Sequence, residues 1–95
     1  MKLFLFSPAA EDDLIAIWRY TAENWSADQA DRYMDGIRDA CHALARGHRQ
    51  GRPVDVRLGC LKYLIGSHVI YFRDHDDQLE VVRILHGRMD VSRRL

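Results

Sequence analysis

The spacing of apolar residues changes twice along this chain, and each change marks a new kind of element. Leu3-Phe4-Leu5-Phe6 is a continuous apolar run. It is short enough for a strand and apolar on both faces, as a strand that is central or covered by helices would be. The run stops at Ser7-Pro8. Serine at a helix N-cap and proline at the first helical position both answer N–H groups that a helix start leaves unpaired. Glu11, Asp12 and Asp13 follow, near the positive end of the helix dipole. Leu14, Ile17, Trp18, Thr21 and Trp25 then fall on one helical face, and the helix is expected to stop at Asn24. Ser26-Ala27-Asp28-Gln29 is a capping-box pattern that opens a second helix. Its stripe is Ala30, Tyr33, Met34, Ile37, Cys41 and Leu44, and it ends at Gly47 after Arg46. A stop and a start this close predict an antiparallel helical hairpin.

Beyond Gly47 the helical period is lost. Residues 47–53 read as a polar, basic loop, with Pro53 and the glycines opposed to regular structure. Short strands are then expected at roughly 55–58, 61–66, 68–73 and 78–85, with turns at Gly59-Cys60, Gly66-Ser67 and Asp74 to Asp77. Tight turns between successive strands imply an antiparallel sheet. The order reads as β-α-α-β-β-β: an α+β protein with an N-terminal strand and a helical hairpin packed on a small, mainly antiparallel sheet.

The length of 95 residues is that of one domain, expected to span 1–95. A chain this short buries about two-thirds of its unfolded surface and folds with little margin. The apolar content of 47% is that of a globular protein and argues against disorder. No apolar run approaches the roughly 18 residues of a membrane span. The run from Met1 to Phe6 is too short for a signal peptide and meets acids at once, so the expected location is the cytoplasm. Cys41 sits at an apolar helix position and Cys60 beside a turn, so both are expected as buried free thiols. There is no CxxC, no metal-binding His pair, no phosphate loop and no dinucleotide fingerprint, and no cofactor is expected.

Net charge is zero, yet the halves differ. Residues 1–48 carry five basic and eight acidic side chains, residues 49–95 nine basic and six acidic. Arginine outnumbers lysine twelve to two, which suits planar contacts to carboxylate or phosphate. One reading is a solvated mixed-charge surface. The other is an acidic helical half and a basic sheet half that face different partners.

Candidate chemistry collects after the last strand, where His86, Arg88 and Asp90 follow Arg83. They could form a phosphate or nucleic-acid site or an acid/base pair. They could equally close the sheet, with Asp90 paired to Arg83 or Arg88 and His86 bonded to backbone. His68 alternates with Ile70 and Phe72 and reads as a structural histidine, while Val69, Tyr71 and Arg73 share the opposite face. Tyr71 and Arg73, near Arg83, could make a basic-aromatic patch for a partner. Ser67 and His68 are adjacent in a strand, point to opposite faces and cannot cooperate. Trp18, Tyr20, Trp25 and Tyr33 are expected mostly in the core, with any exposed part offering an apolar groove.

The C-terminal wording resembles the ParE toxins of the RelE/ParE superfamily of type II toxin–antitoxin systems. The resemblance is carried by Ser67, His68, Val69, Ile70, Tyr71 and Arg73, then by Glu80, Val81, Arg83, Ile84, Leu85, His86, Arg88, Met89, Asp90 and Leu95. Asp13 to Tyr20 and Trp25 to Ala30 are similar to the family's helical signature, more loosely. The resemblance covers nearly the whole chain and implies the same element order. It implies a cytoplasmic, growth-inhibiting toxin that binds and poisons DNA gyrase, is not an enzyme, and is neutralised by a cognate ParD-like antitoxin in a hetero-oligomer. No membrane binding and no sequence-specific nucleic-acid binding by the toxin alone are implied. The residues it points to for toxicity and target binding are Arg83, His86, Arg88, Met89 and Asp90, with Arg57, Tyr71 and Arg73 as weaker additions. Trp18 and Tyr33 are assigned to the antitoxin side. Two alternatives stand beside it. One is a RelE-type ribosome-dependent mRNA endoribonuclease, a branch that cleaves with a cluster of Lys, Arg and a late Tyr, or with His and Glu substitutes. Here there are two lysines and no tyrosine after Tyr71, although Arg57, Arg83, His86 and Arg88 furnish a reduced set. The other is a non-toxic relative kept as an antitoxin-binding module.

Overall fold

A computed structural model describes residues 2–95; Met1, the first residue of the N-terminal apolar run, lies outside the described residues. Strand β1 (Leu3–Phe6) leads into helices α1 (Pro8–Asn24) and α2 (Ala27–Ala45), followed by β2 (Arg52–Pro53), β3 (Leu61–Ile65), β4 (His68–Asp74), β5 (Gln78–His86) and a short 3₁₀ turn, Val91–Arg93. Both helix starts behave as their sequences predict. The Ser7 hydroxyl accepts from Ala10 N at 3.0 Å, and the Ser26 hydroxyl accepts from Gln29 N at 3.0 Å. Helix α1 ends at Asn24, and α2 gives way to Gly47 at φ 78°.

The five strands form one sheet in the order β1-β5-β4-β3-β2. The β3–β4–β5 meander is antiparallel, and β1 joins β5 in parallel. The hairpin between β3 and β4 turns on Gly66, at φ 55°, where an ordinary residue would be strained. The helices cover one face of the sheet. There Ile17, Ile37, Cys41 and Leu44 meet Ile70, Phe72, Leu79, Val81 and Ile84. A second cluster lies on the other face, where Val54, Cys60, Val69, Tyr71 and Leu85 are covered by Val91 and Leu95. Both cysteines are free and buried, as expected. Burial pushes the Cys41 thiol up to about 12.

Three expectations are corrected. Residues 55–58 are not a strand: Val54 N bonds to Cys60 O and Cys60 N to Arg57 O, which closes a loop with Val56 and Leu58 turned outward. The strand lies earlier, at Arg52–Pro53, inside the stretch expected to be an irregular loop. Proline is tolerated there because β2 is the outermost strand and needs no donor on its free side. Four strands follow the helices, as many as the four segments expected there, although the order written β-α-α-β-β-β counts three. Strand β1, expected to be central or covered by helices, is an edge strand that the helices cover on one face only. Phe4 and Phe6 pack toward the helices, while Leu3 and Leu5 are exposed.

The bare side of β5 beyond β1 is covered by the start of α1. Ser7 N donates to Val81 O at 2.9 Å, and the Ser7 hydroxyl donates to Val82 O at 2.6 Å. One turn further on, Asp13 accepts from Ile84 N at 2.9 Å. A helix thus satisfies the edge that would otherwise offer unpaired backbone groups to another chain.

Candidate functional site at the C-terminal end of the sheet

The site is built where β5 runs out past β1 and meets α1. Asp13 binds Arg83 in a fork: Arg83 Nε donates to Asp13 Oδ2 and Nη2 to Oδ1, each at 2.8 Å. A bidentate pair of this kind fixes orientation as well as charge. Hydrogen bonding to Asp13 holds the Arg83 guanidinium above its already high ordinary pKa, partial burial works the other way, and the charges of Asp13 and Asp12 add to the rise. The remaining arm, Nη1, donates to the Arg94 carbonyl at 3.3 Å. Arg83 therefore ties α1 to the chain's last residues.

Beside this clasp sits a histidine pair. His68 and His86 face each other across β4 and β5, with ring centroids 5.5 Å apart and planes at 81°. Tyr33, from α2, brings its hydroxyl to 2.6 Å from His68 Nδ1. The same oxygen accepts from Ser67 N at 3.2 Å and lies 3.2 Å from Ile65 O. Gly66 permits this approach, since a Cβ there would lie 2.7 Å from the Tyr33 hydroxyl. Arg88 N donates to His86 Nδ1 at 3.2 Å, which places the proton of the neutral ring on Nε2.

Burial, then the neighbouring His86, holds the His68 pKa below its ordinary value of 6.5. The unfolded chain therefore takes up a proton near 6.5 that folded His68 resists. This group contributes no pH dependence well above 6.5. It lowers stability as the pH falls below 6.5, until folded His68 itself titrates. The urea midpoint is expected to drop between pH 7.5 and 5.5, and by less in His68→Gln; an equal drop in both proteins would assign the effect elsewhere.

A groove of about 670 Å³ opens above the pair. Ile17, Tyr20 and Trp25 line it from the α1 side, Tyr33 from α2, and His68, His86 and Met89 from the sheet end. Of the helical aromatics expected mostly in the core, Tyr33 packs against it, but the other three are corrected: Trp25 is 75% exposed, Tyr20 65% and Trp18 36%. Trp25 lies beyond the last turn of α1, off the stripe that its spacing suggested. Trp18 faces a different, smaller groove with Phe6, Leu14, Ile15, Met34, Ile37 and Arg38, and its indole donates to Asp31 at 2.9 Å. The two residues assigned to the antitoxin side thus belong to separate grooves.

The other singled-out residues divide. His86 and Met89 line the groove, and Arg88 and Met89 are exposed on the turn after β5. Asp90 pairs with neither Arg83 nor Arg88. It caps the 3₁₀ turn, accepting from Ser92 N at 3.0 Å and from the Ser92 hydroxyl at 2.7 Å, and these bonds hold its pKa below the usual carboxylate range. Arg57 donates to the Leu95 carbonyl at 2.5 Å. Tyr71 is buried in the far-face cluster, so it does not join Arg73 and Arg83 in an exposed patch. Among the described residues, no three His, Cys, Asp or Glu side chains converge as a metal site would need. Sequence reasoning did not assign Asp13 to the site, reading it as a helix-dipole charge and as the start of the family-like helical stretch. The partner is 70 positions away, and no local pattern announces it.

The model of the family described as "ParE toxin of type II toxin-antitoxin system, parDE" matches residues 4–91. The chain belongs to the ParE toxin family. It is 40% identical over 94 residues to Toxin ParE1 of Mycobacterium tuberculosis, covering 97% of this chain and 96% of that protein. It is 30% identical over 96 residues to Toxin ParE1 of Caulobacter vibrioides, covering 100% and 99%. The solved chromosomal ParDE system of P. aeruginosa contains a chain of the same fold, with a TM-score of 0.78, 19% identity, and coverage of 90% of this chain and 96% of that one. This ParE-type toxin therefore presents the turn after β5, the histidine groove and the Asp13–Arg83 clasp at one end of a fold its relatives share.

Proposed function

We propose that this ParE-type toxin acts in the cytoplasm by binding DNA gyrase and blocking replication, without catalysing a reaction, and that a ParD-like antitoxin neutralises it. The observation that carries the reading is the exposed turn after β5. Arg88 and Met89 there are among the residues of the C-terminal resemblance, and neither side chain is engaged in a hydrogen bond or ion pair described above. Arginine and methionine are both favoured at the centres of protein interfaces. His86, Asp90 and Arg57 belong to the same proposed surface and Tyr71 supports it from behind, whereas Arg73, paired with Glu80 toward the other end of β4, lies apart from it. The antitoxin is assigned to the helical hairpin at Trp18 and Tyr33. Its support is the two apolar grooves that flank the hairpin, and a relative of the same fold whose structure is that of a ParDE system. No helix among the described residues is long and apolar enough to cross a membrane.

One observation favours a second reading, a RelE-type mRNA endoribonuclease: the His68–His86 pair beside the Tyr33 hydroxyl at a groove mouth. Histidines are suited to proton transfer near neutral pH. Brief induction of the chain alone in a bacterial host separates the two. A DNA-damage response with continuing translation is expected, and purified toxin should make gyrase accumulate cleaved DNA. Immediate translation arrest with mRNA cleavage would move the assignment to the endoribonuclease.

A further inference from the structure

We infer that Asp13 is a positioning residue for the C-terminal segment 88–95, acting through Arg83, and that Arg83 serves as a clamp on this segment rather than as a contact to the target. The inference rests on the proposed reading only in taking that segment as the toxic surface.

The geometry is a relay of fixed bonds. Asp13 is one turn past the start of α1, which Ser7 anchors to β5. Its carboxylate has three partners: Arg83 Nε, Arg83 Nη2 and Ile84 N. With two guanidinium nitrogens held, the third can point in one direction only, and it meets the Arg94 carbonyl. A second arginine, Arg57, approaches from the 54–60 loop and holds the neighbouring Leu95 carbonyl. Between these clamps, Val91 and Leu95 pack on the far-face cluster. Asp90 starts the 3₁₀ turn, and Arg94 N and Leu95 N both bond back to Val91 O at 3.1 Å. The eight residues are held by this packing and by arginines from two other elements that grip their backbone. Removing the Asp13 charge leaves Arg83 free to swing into solvent, and the grip on Arg94 goes with it.

Hydrogen exchange of the purified chain tests this, paired with growth inhibition on induction. In Asp13→Asn, exchange at Arg94 and Leu95 is expected to speed up by about tenfold, the scale of one charge-assisted bond, while the amides of α2 keep their rates. Toxicity is expected to fall in parallel. Arg83→Lys is the companion variant. It keeps the charge and leaves Asp13 bonded to Ile84 N, but it lacks the third arm, so it should loosen the same two amides even if Asp13→Asn folds poorly. Unchanged exchange at Arg94 and Leu95 in Arg83→Lys overturns the inference. A loosened segment with full toxicity upholds the clamp and instead overturns the assignment of the toxic surface to residues 88–95.

Discussion

Phe72→Ala is expected to lower folding stability by about 3–5 kcal/mol, the range for truncating a large buried aromatic. Phe72 is 2% exposed in the middle of the helix-side core. It lies opposite Leu61 on β3 and Val81 on β5, and so holds three strands in register. Its ring also supports the loop that leads into β2, for a Cβ on Gly51 would lie 2.6 Å from Phe72 Cζ. The space left by alanine would be bounded by backbone on that side and could collapse only by moving the loop. A domain of this size has about 5–15 kcal/mol of stability in total, so the variant should be marginal at 37 °C. Urea denaturation followed by circular dichroism measures it. A loss under about 1 kcal/mol would mean that the ring is not a keystone of this core and that the loop collapses onto β4 at little cost.

The strand face that carries Phe72 could be read from the sequence, because it is set by residues a few positions apart. Alternation along β4 placed His68, Ile70 and Phe72 on one face, and the structure packs Ile70 and Phe72 into one cluster, with His68 on the same side under Tyr33. Both N-caps and the meander were likewise written in residues a few positions apart. The strand ends of β3, β4 and β5 were off by one residue at most. What failed was long-range. The apolar run of β1 did not reveal that one face would stay open, because its parallel partner, β5, lies some seventy residues on. Val56 and Leu58, spaced as in the strand expected at 55–58, are both exposed. Trp25 fitted the helical stripe by count, yet the helix had already ended. Of the residues named for the candidate site, Arg83, His86, Arg88, Met89 and Asp90 lie at one end of the sheet, whereas Tyr71 is buried on the far face and Arg73 pairs with Glu80 toward the other end of β4. Their bonds were not legible: Arg83 chose Asp13 over Asp90, and Asp90 chose Ser92. Charge pairing between distant segments depends on which helix crosses which strand edge, and no period in the sequence encodes that crossing.

Arg88→Ala and Arg83→Ala are expected to abolish toxicity by different routes, and the contrast is the sharpest test of the proposed surface. Arg88 is exposed, and the only bond described for it is made by its backbone N–H, which alanine keeps. Its truncation should change stability by no more than about 0.5 kcal/mol. Any loss of growth inhibition then reports a lost contact, and binding to the antitoxin, placed on the helical hairpin, should be near normal. Arg83 is different. Its guanidinium is fully committed to Asp13 and Arg94, and the Asp13 side chain is only 12% exposed. Alanine there leaves a shielded carboxylate without its cation, which should cost about 1–3 kcal/mol and loosen the C-terminal segment. Toxicity should fall in both, but only Arg83→Ala should shift the urea midpoint. If Arg88→Ala remains toxic while Arg83→Ala does not, the segment's shape matters and Arg88 makes no contact. The target would then have to be read by Met89 and His86 at the mouth of the groove, where a bulky or charged replacement of Met89 becomes the next decisive substitution.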